Sequence, residues 1–126
     1  FFMKLIKMAK YKGAISRSVD LVGEQLKGFL ERHKINNTVS YGAYTSFTKG
    51  ETYNPMAKVQ LYTYSRNGRN ITDFNEGEAE ILYPRNSKFV VRKVTQTDDI
   101  YHIVLDEVNW YGSKEKGTIY SGKMAW

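Results

Sequence analysis

Glu78 and Glu80 stand two residues apart in the segment Glu78-Ala79-Glu80-Ile81-Leu82-Tyr83-Pro84. In an extended chain the period of two puts both carboxylates on one face. Two carboxylates that close can divide labour, one staying ionised while the other exchanges a proton. On spacing alone such a pair is usually the solvated start of a strand, so the surroundings must decide. Upstream, Tyr44-Thr45-Ser46-Phe47-Thr48 supplies hydroxyls, and Tyr11-Lys12-Gly13 supplies a cation beside a glycine. Other chemistries fall away. The chain has two histidines, His33 and His102, at no paired ligand spacing, and no cysteine, so neither a metal site nor a disulfide is expected. No Gly-x-x-x-x-Gly-Lys phosphate loop and no Gly-x-Ser-x-Gly nucleophile elbow is present.

These residues need a scaffold. Residues 3–15 alternate loosely and predict a strand ending at Gly13, followed by a polar break at Ser16 to Ser18. Ser18 is a candidate N-cap for a helix over Val19 to His33, with Val22, Leu26, Phe29 and Leu30 on one face. Gly23 and Gly28 weaken that helix by up to ~1 kcal/mol each, so packing must hold it. Strands are predicted over Val39 to Thr48, Lys58 to Ser65, Glu78 to Tyr83, Lys88 to Thr95 and Ile100 to Val108. Asn67-Gly68, the run Pro84 to Ser87 and Thr97-Asp98-Asp99 mark turns. Residues 49–55 and 69–77 read as loops, and a last short strand is placed near Thr118-Ile119-Tyr120.

The 126 residues suit one domain, 1–126, with a single core. Ten tyrosines in an aromatic fraction of 14% lean toward β-structure. The net charge of +6 points to an acidic partner: nucleic acid, a phosphorylated small molecule or an acidic protein surface. No apolar run approaches the ~20 residues of a membrane span, and the lysine-broken start Phe1 to Lys7 does not read as a signal peptide. The absence of a leading Met suggests a piece of a longer chain.

The order and content of these segments resemble the mono-ADP-ribosyltransferase toxin family, in its Arg-Ser-Glu class. Glu78 to Val91 is similar to the family's Glu-x-Glu loop, its (Val/Ile)-Leu-x-Pro strand and the strand after the turn. Tyr44 to Thr48 resembles its aromatic-x-Ser-Thr-Ser strand, and Tyr11-Lys12-Gly13 stands where Tyr-Arg-Gly is usual. The resemblance runs from about Tyr11 to Val94. It implies an α+β fold of mostly antiparallel strands in two packed sheets with one or more helices.

It also implies that NAD is the substrate, split at the nicotinamide–ribose bond through an oxocarbenium-like centre, as in glycoside cleavage. Glu80 then anchors the ribose and stabilises the growing charge. Glu78 orients the acceptor, and a glutamate there resembles arginine-modifying members. Ser46 braces the catalytic glutamate and NAD, and Thr48 stands for the motif's last serine. Lys12 takes the place of the phosphate-holding arginine, without the bidentate fork. It is a variant grip, a silencing substitution, or a sign that Arg17 makes the contact; Lys12 is the favoured position. Gly13 lets the backbone approach the nicotinamide amide. Tyr53 faces the nicotinamide or the solvent, and Phe74 faces the acceptor or anchors its loop.

The expected partners are NAD, an acceptor macromolecule (protein arginine, or nucleic acid) and, for a toxin, an immunity protein. The place of action is a target cell's cytoplasm for a secreted or injected effector, or the host cytoplasm for a phage protein. Two other readings stand beside this one. A basic, tyrosine-rich β-domain can bind nucleic acid by stacking and phosphate contacts, and a relative weakened at Lys12 can keep the fold without the activity.

Overall fold

A computed structural model of the protein describes Leu5 and residues 8–50, 54–71 and 80–108. Its centre is the segment whose alternation is clearest in the sequence. Val59, Leu61 and Thr63 are buried on one side, and Tyr62 and Tyr64 point the other way. In chain order the elements are β1 (Gly13–Val19), a helix α1 (Gly23–Arg32), β2 (Thr38–Ser40), β3 (Thr45–Lys49), β4 (Val59–Ser65), β5 (Arg69–Asn70), β6 (Glu80–Tyr83), β7 (Lys88–Thr97) and β8 (Ile100–Glu107).

The eight strands form one sheet in the order β2-β7-β8-β4-β1-β3-β6-β5. This corrects the expectation of two packed sheets. Two antiparallel halves are joined by the parallel pair β4–β8, in register from Val59↔Tyr101 to Tyr62↔Val104. The sheet nevertheless curls onto its own inner face. Phe47 on β3 and Phe89 on β7 are four strand steps apart in that order, which would separate them by ~19 Å in a flat sheet. Their ring centroids are 5.9 Å apart. Tyr83 meets both edge-on, at 5.4 and 5.2 Å, an arrangement the ring quadrupoles favour. Ile15, Leu61, Ile81, Ile103 and Leu105 complete this core. On the other face of β6, Leu82 packs with Leu5 and Ile71.

The segment read as a polar break is β1 itself. Ser16 and Ser18 alternate with Ile15 and Val19, and Ser18 Oγ donates to Gln60 Oε1 at 2.7 Å. Ser18 is therefore a strand residue and not the N-cap. The cap position is Val22, which has no side-chain cap bond. Gly23 opens the helix at φ 58°, a left-handed conformation that suits glycine, so it makes the corner between β1 and α1. Phe29 is the buried anchor of α1, with Leu26 and Leu30 partly covered beside it. The strand expected over Val39 to Thr48 breaks at Tyr41 into β2, paired with β7, and β3, paired with β1 and β6. The two-residue β5 lies inside the expected loop. The strand expected near Thr118 lies outside the described residues.

Candidate active site

β1 and β3 pair at Ile15↔Lys49 and Ser16↔Thr48, and the pairing stops there although β1 continues to Val19 and β3 begins at Thr45. At this split Arg17 Nη1 donates to the Ser46 carbonyl at 2.8 Å. A charged side chain thus satisfies a backbone acceptor that the ladder leaves open. Arg17 is opposite Leu61 on β4 and, by alternation, shares the inner face with Ile15 and Val19.

Behind the split lies a cavity of about 570 Å³. Arg17 and Val19 of β1, Leu61 of β4 and Phe29 and Arg32 of α1 form part of its described wall, and His33 and the segment from Asn37 to Thr45 form the rest. Among the described residues its lining carries two guanidinium groups, His33, and no carboxylate. Such a site attracts an anion, and arginine's planar fork suits phosphate oxygens. Arg32 lies over the Phe29 ring at 5.9 Å, where the cation is held beside an aromatic face. His33 stacks on Phe29 at 3.8 Å. Its Nδ1 meets the Phe29 carbonyl at 2.7 Å, and its Nε2 meets the Tyr41 hydroxyl at 2.8 Å. Burial, more than the nearby Arg32, holds the His33 imidazole below its ordinary range. Burial also raises the Tyr41 phenol, against the opposing fields of Arg17 and Arg32.

Thr48 is directly opposite Glu80 on β6, and Ser46 is opposite Leu82. Ser16, Thr48 and Glu80 therefore stand in one row across β1, β3 and β6. The Ile71 amide donates to the Glu80 carbonyl at 3.2 Å and fixes the start of β6. By alternation the row lies on the face opposite Phe47 and Ile81, whereas Arg17 is on the inner face. Ser46 is the link: its side chain belongs to the face of Glu80, and its carbonyl is held by Arg17.

Lys12 and Gly13 are not at this opening. Lys12 is exposed and precedes β1, five residues or ~17 Å of extended chain from Arg17. Gly13 pairs with Ser65 at the far end of β1. A Cβ there would come within 2.8 Å of the Tyr11 hydroxyl, so Tyr11 fills the space above it. Glu78, Tyr53 and Phe74 lie outside the described residues. In the sequence Arg32 and Tyr41 stand out by no motif, Arg17 is the alternative to Lys12, and His33 is a candidate only as a metal ligand. Arg17 has a local signal, a cation alternating with the apolar Ile15 and Val19. Tyr41 has none, because its partner is eight residues away, just past the end of α1.

Two buried acids at the end of β8 hold the approach to β6. Glu107 accepts from the Arg66 and Asn67 amides at 3.2 and 3.3 Å, from Asn67 Nδ2 at 2.7 Å and from the Tyr83 hydroxyl. Burial, then Glu107, pushes the Tyr83 phenol far up. Asp106 is paired with Arg92 at 3.3 Å and with Arg66 at 3.8 Å; burial raises its carboxyl against the pull of Arg92. Ser65 Oγ donates to the Tyr11 carbonyl at 2.8 Å and accepts from the Gly68 amide at 3.2 Å. These bonds lock the Asn67-Gly68 turn against the strand that carries Glu80.

No family model matches the chain, and no curated protein matches it by sequence. Solved structures do match by shape. The SpvB ATR domain of Salmonella superposes with a TM-score of 0.73 at 19% identity, over 85% of this chain and 68% of its own. The ADP-ribosyltransferase HopU1 of Pseudomonas syringae pv. tomato gives 0.70 at 17%, over 84% and 49%. Vis, an ADP-ribosyltransferase from Vibrio splendidus solved with agmatine, gives 0.67 at 20%, over 91% and 58%. The chain thus spans about half of HopU1 and somewhat more of Vis. At these identities the likeness is one of fold.

Proposed function

We propose that this chain is an NAD-dependent mono-ADP-ribosyltransferase domain, acting as the toxin or effector module of a longer protein. One observation carries the reading: Arg17 stands at the split between β1 and β3, bonded to the Ser46 carbonyl, on a cavity whose described lining holds cations and no carboxylate. The shared fold and the pairing of Glu80's strand with that of Ser46 supply its context.

In this reading Arg17, and not Lys12, holds the NAD pyrophosphate. A guanidinium at the split can give one N–H to Ser46 and keep the others for phosphate oxygens. Ser46 and Thr48 brace Glu80 and the nicotinamide ribose. Glu80 anchors that ribose and stabilises the positive charge that grows as the glycosidic bond breaks. Glu78 orients the acceptor, an arginine side chain, with Phe74 beside it, and Tyr53 packs against the nicotinamide. Nicotinamide leaves, and the acceptor nitrogen forms the new bond to the ribose carbon.

The test is nicotinamide release and label transfer from NAD to agmatine, a small arginine-like acceptor. Glu80→Gln keeps the shape of the side chain and removes its charge. It is expected to lower both rates by at least ~100-fold, the scale of losing a major electrostatic stabiliser. Equal rates in the parent and in Glu80→Gln would remove Glu80 from the site.

A further inference from the structure

His33 is the least exposed titratable side chain on the cavity wall, at 2%, and its hydrogen bonds leave no freedom in their direction. The Phe29 carbonyl can only accept, so the proton of the neutral imidazole sits on Nδ1. Nε2 is then an acceptor, and the Tyr41 hydroxyl must donate to it. The raised phenol keeps that proton throughout the physiological range. With its proton turned toward His33, Tyr41 can offer the cavity only oxygen lone pairs. A second proton on the imidazole reverses the bond: Nε2–H donates to Tyr41, and the phenolic proton turns outward.

We propose that Tyr41 is a ligand-contacting residue of this cavity and that His33 is its positioning residue, setting whether Tyr41 accepts from or donates to the bound anion. With His33 neutral, Tyr41 presents an acceptor to the pyrophosphate and opposes it. With His33 protonated, Tyr41 presents a donor beside a new positive charge, and the anion is held more tightly. The device rests on the cavity being the pyrophosphate site, and it gives that site a pH response.

The charged surroundings of the pair are few. Arg32 on α1 acts on His33, and Arg17 on β1 and Arg32 both act on Tyr41. Phe29 stacks on His33, and Phe89 lies tilted against Tyr41 at 5.8 Å. Glu31 and Lys34, at the end of α1, pair with each other at 3.1 Å in solvent. Lys88 precedes Phe89 on β7 and by alternation faces away. Among the described residues no carboxylate lines the cavity to stabilise the imidazolium, and a bound anion is a group that favours it.

The experiment is calorimetric titration with ADP-ribose, whose pyrophosphate charge does not change between pH 7.5 and 5.5. The parent chain is expected to bind roughly three- to tenfold more tightly at the lower pH, the scale of one added charge at a partly wet site. His33→Phe keeps the ring stack and removes the relay, so its affinity should be flat with pH. Tyr41→Phe keeps the ring and loses the hydroxyl, so its gain should be smaller than the parent's. A flat parent, or variants that both tighten as the parent does, would overturn the relay while leaving the cavity assignment standing. Absence of ADP-ribose binding at every pH would overturn the cavity assignment and the relay together.

Discussion

Replacing Gly68 with alanine tests how tightly the strand of Glu80 is held. A Cβ at Gly68 would overlap Cγ2 of Ile81 and lie 2.8 Å from both Ser65 Oγ and Tyr83 Cε1. None of the three can step aside. Ile81 is 0% exposed, Tyr83 2% and Ser65 0%, and the Ile81 methyl is on a β-branched side chain with little rotamer choice. Forcing a methyl into such packing costs about 1–3 kcal/mol. Loss of the Ser65 bonds to the Gly68 amide and the Tyr11 carbonyl adds ~1 kcal/mol. The sum is about 2–4 kcal/mol, or a fall in Tm of roughly 10 °C for a domain of this size. Gly28→Ala is the matched control of opposite sign. Its Cβ would meet only Arg32 Nη1, at 3.6 Å, and a helical alanine should gain up to ~1 kcal/mol. Thermal and urea unfolding of both variants decide the matter. A Gly68→Ala chain within ~0.5 kcal/mol of the parent would refute the packing argument, and with it the fixed position of β6 beneath Glu80.

Arg17→Lys should weaken ADP-ribose binding by about tenfold or more, since a point charge cannot serve Ser46 and phosphate together, while Lys12→Ala should change it by less than about twofold; titration of both reverses the assignment if Lys12→Ala is the larger effect. Stability should fall with pH below 6.5, the ordinary value for histidine, because burial keeps folded His33 neutral while the unfolded chain takes up the proton. That loss runs from 6.5 down through the lowered folded value, and urea midpoints measured at pH 7.5 and 5.0 should show a smaller drop in His33→Phe. Tyr83→Phe removes one of four donors to buried Glu107 and should cost about 1–3 kcal/mol. An unchanged unfolding midpoint would mean that the bond is not formed.

Local periodicity was enough to locate β4, β7, β8 and the apolar face of α1, because each of them buries a regularly spaced set of side chains. Pairing between distant strands left no such trace. The parallel junction of β4 and β8 depends on a match across some forty residues, so no local pattern could set one mixed sheet against the two packed sheets that the resemblance implies. β1 resembles a polar turn in the sequence because its outward positions are serines and one inward position is Arg17. Glu78 and Glu80 are candidates only through their spacing taken together with the resemblance; Glu80 stands opposite Thr48, and Glu78 lies outside the described residues. The cationic cavity has no comparable local pattern, because Arg17, Arg32, His33 and Tyr41 come from separate segments and meet only in the folded chain.

The bonds made by Glu107 also bear on the order in which the chain folds. Its carboxylate joins the end of β8 to a turn forty residues earlier and to Tyr83 on β6, contacts of long sequence separation that form slowly. During synthesis the turn before β5 and the strand of Glu80 emerge well before the residue that secures them. β7 and β8 can form as a local hairpin, but only its docking along β4 brings Glu107 to Asn67. Assembly of the frame around β6 is therefore a late event, so a chain cut short before β8 would carry every upstream residue of the proposed site and still lack the arrangement that brings them together.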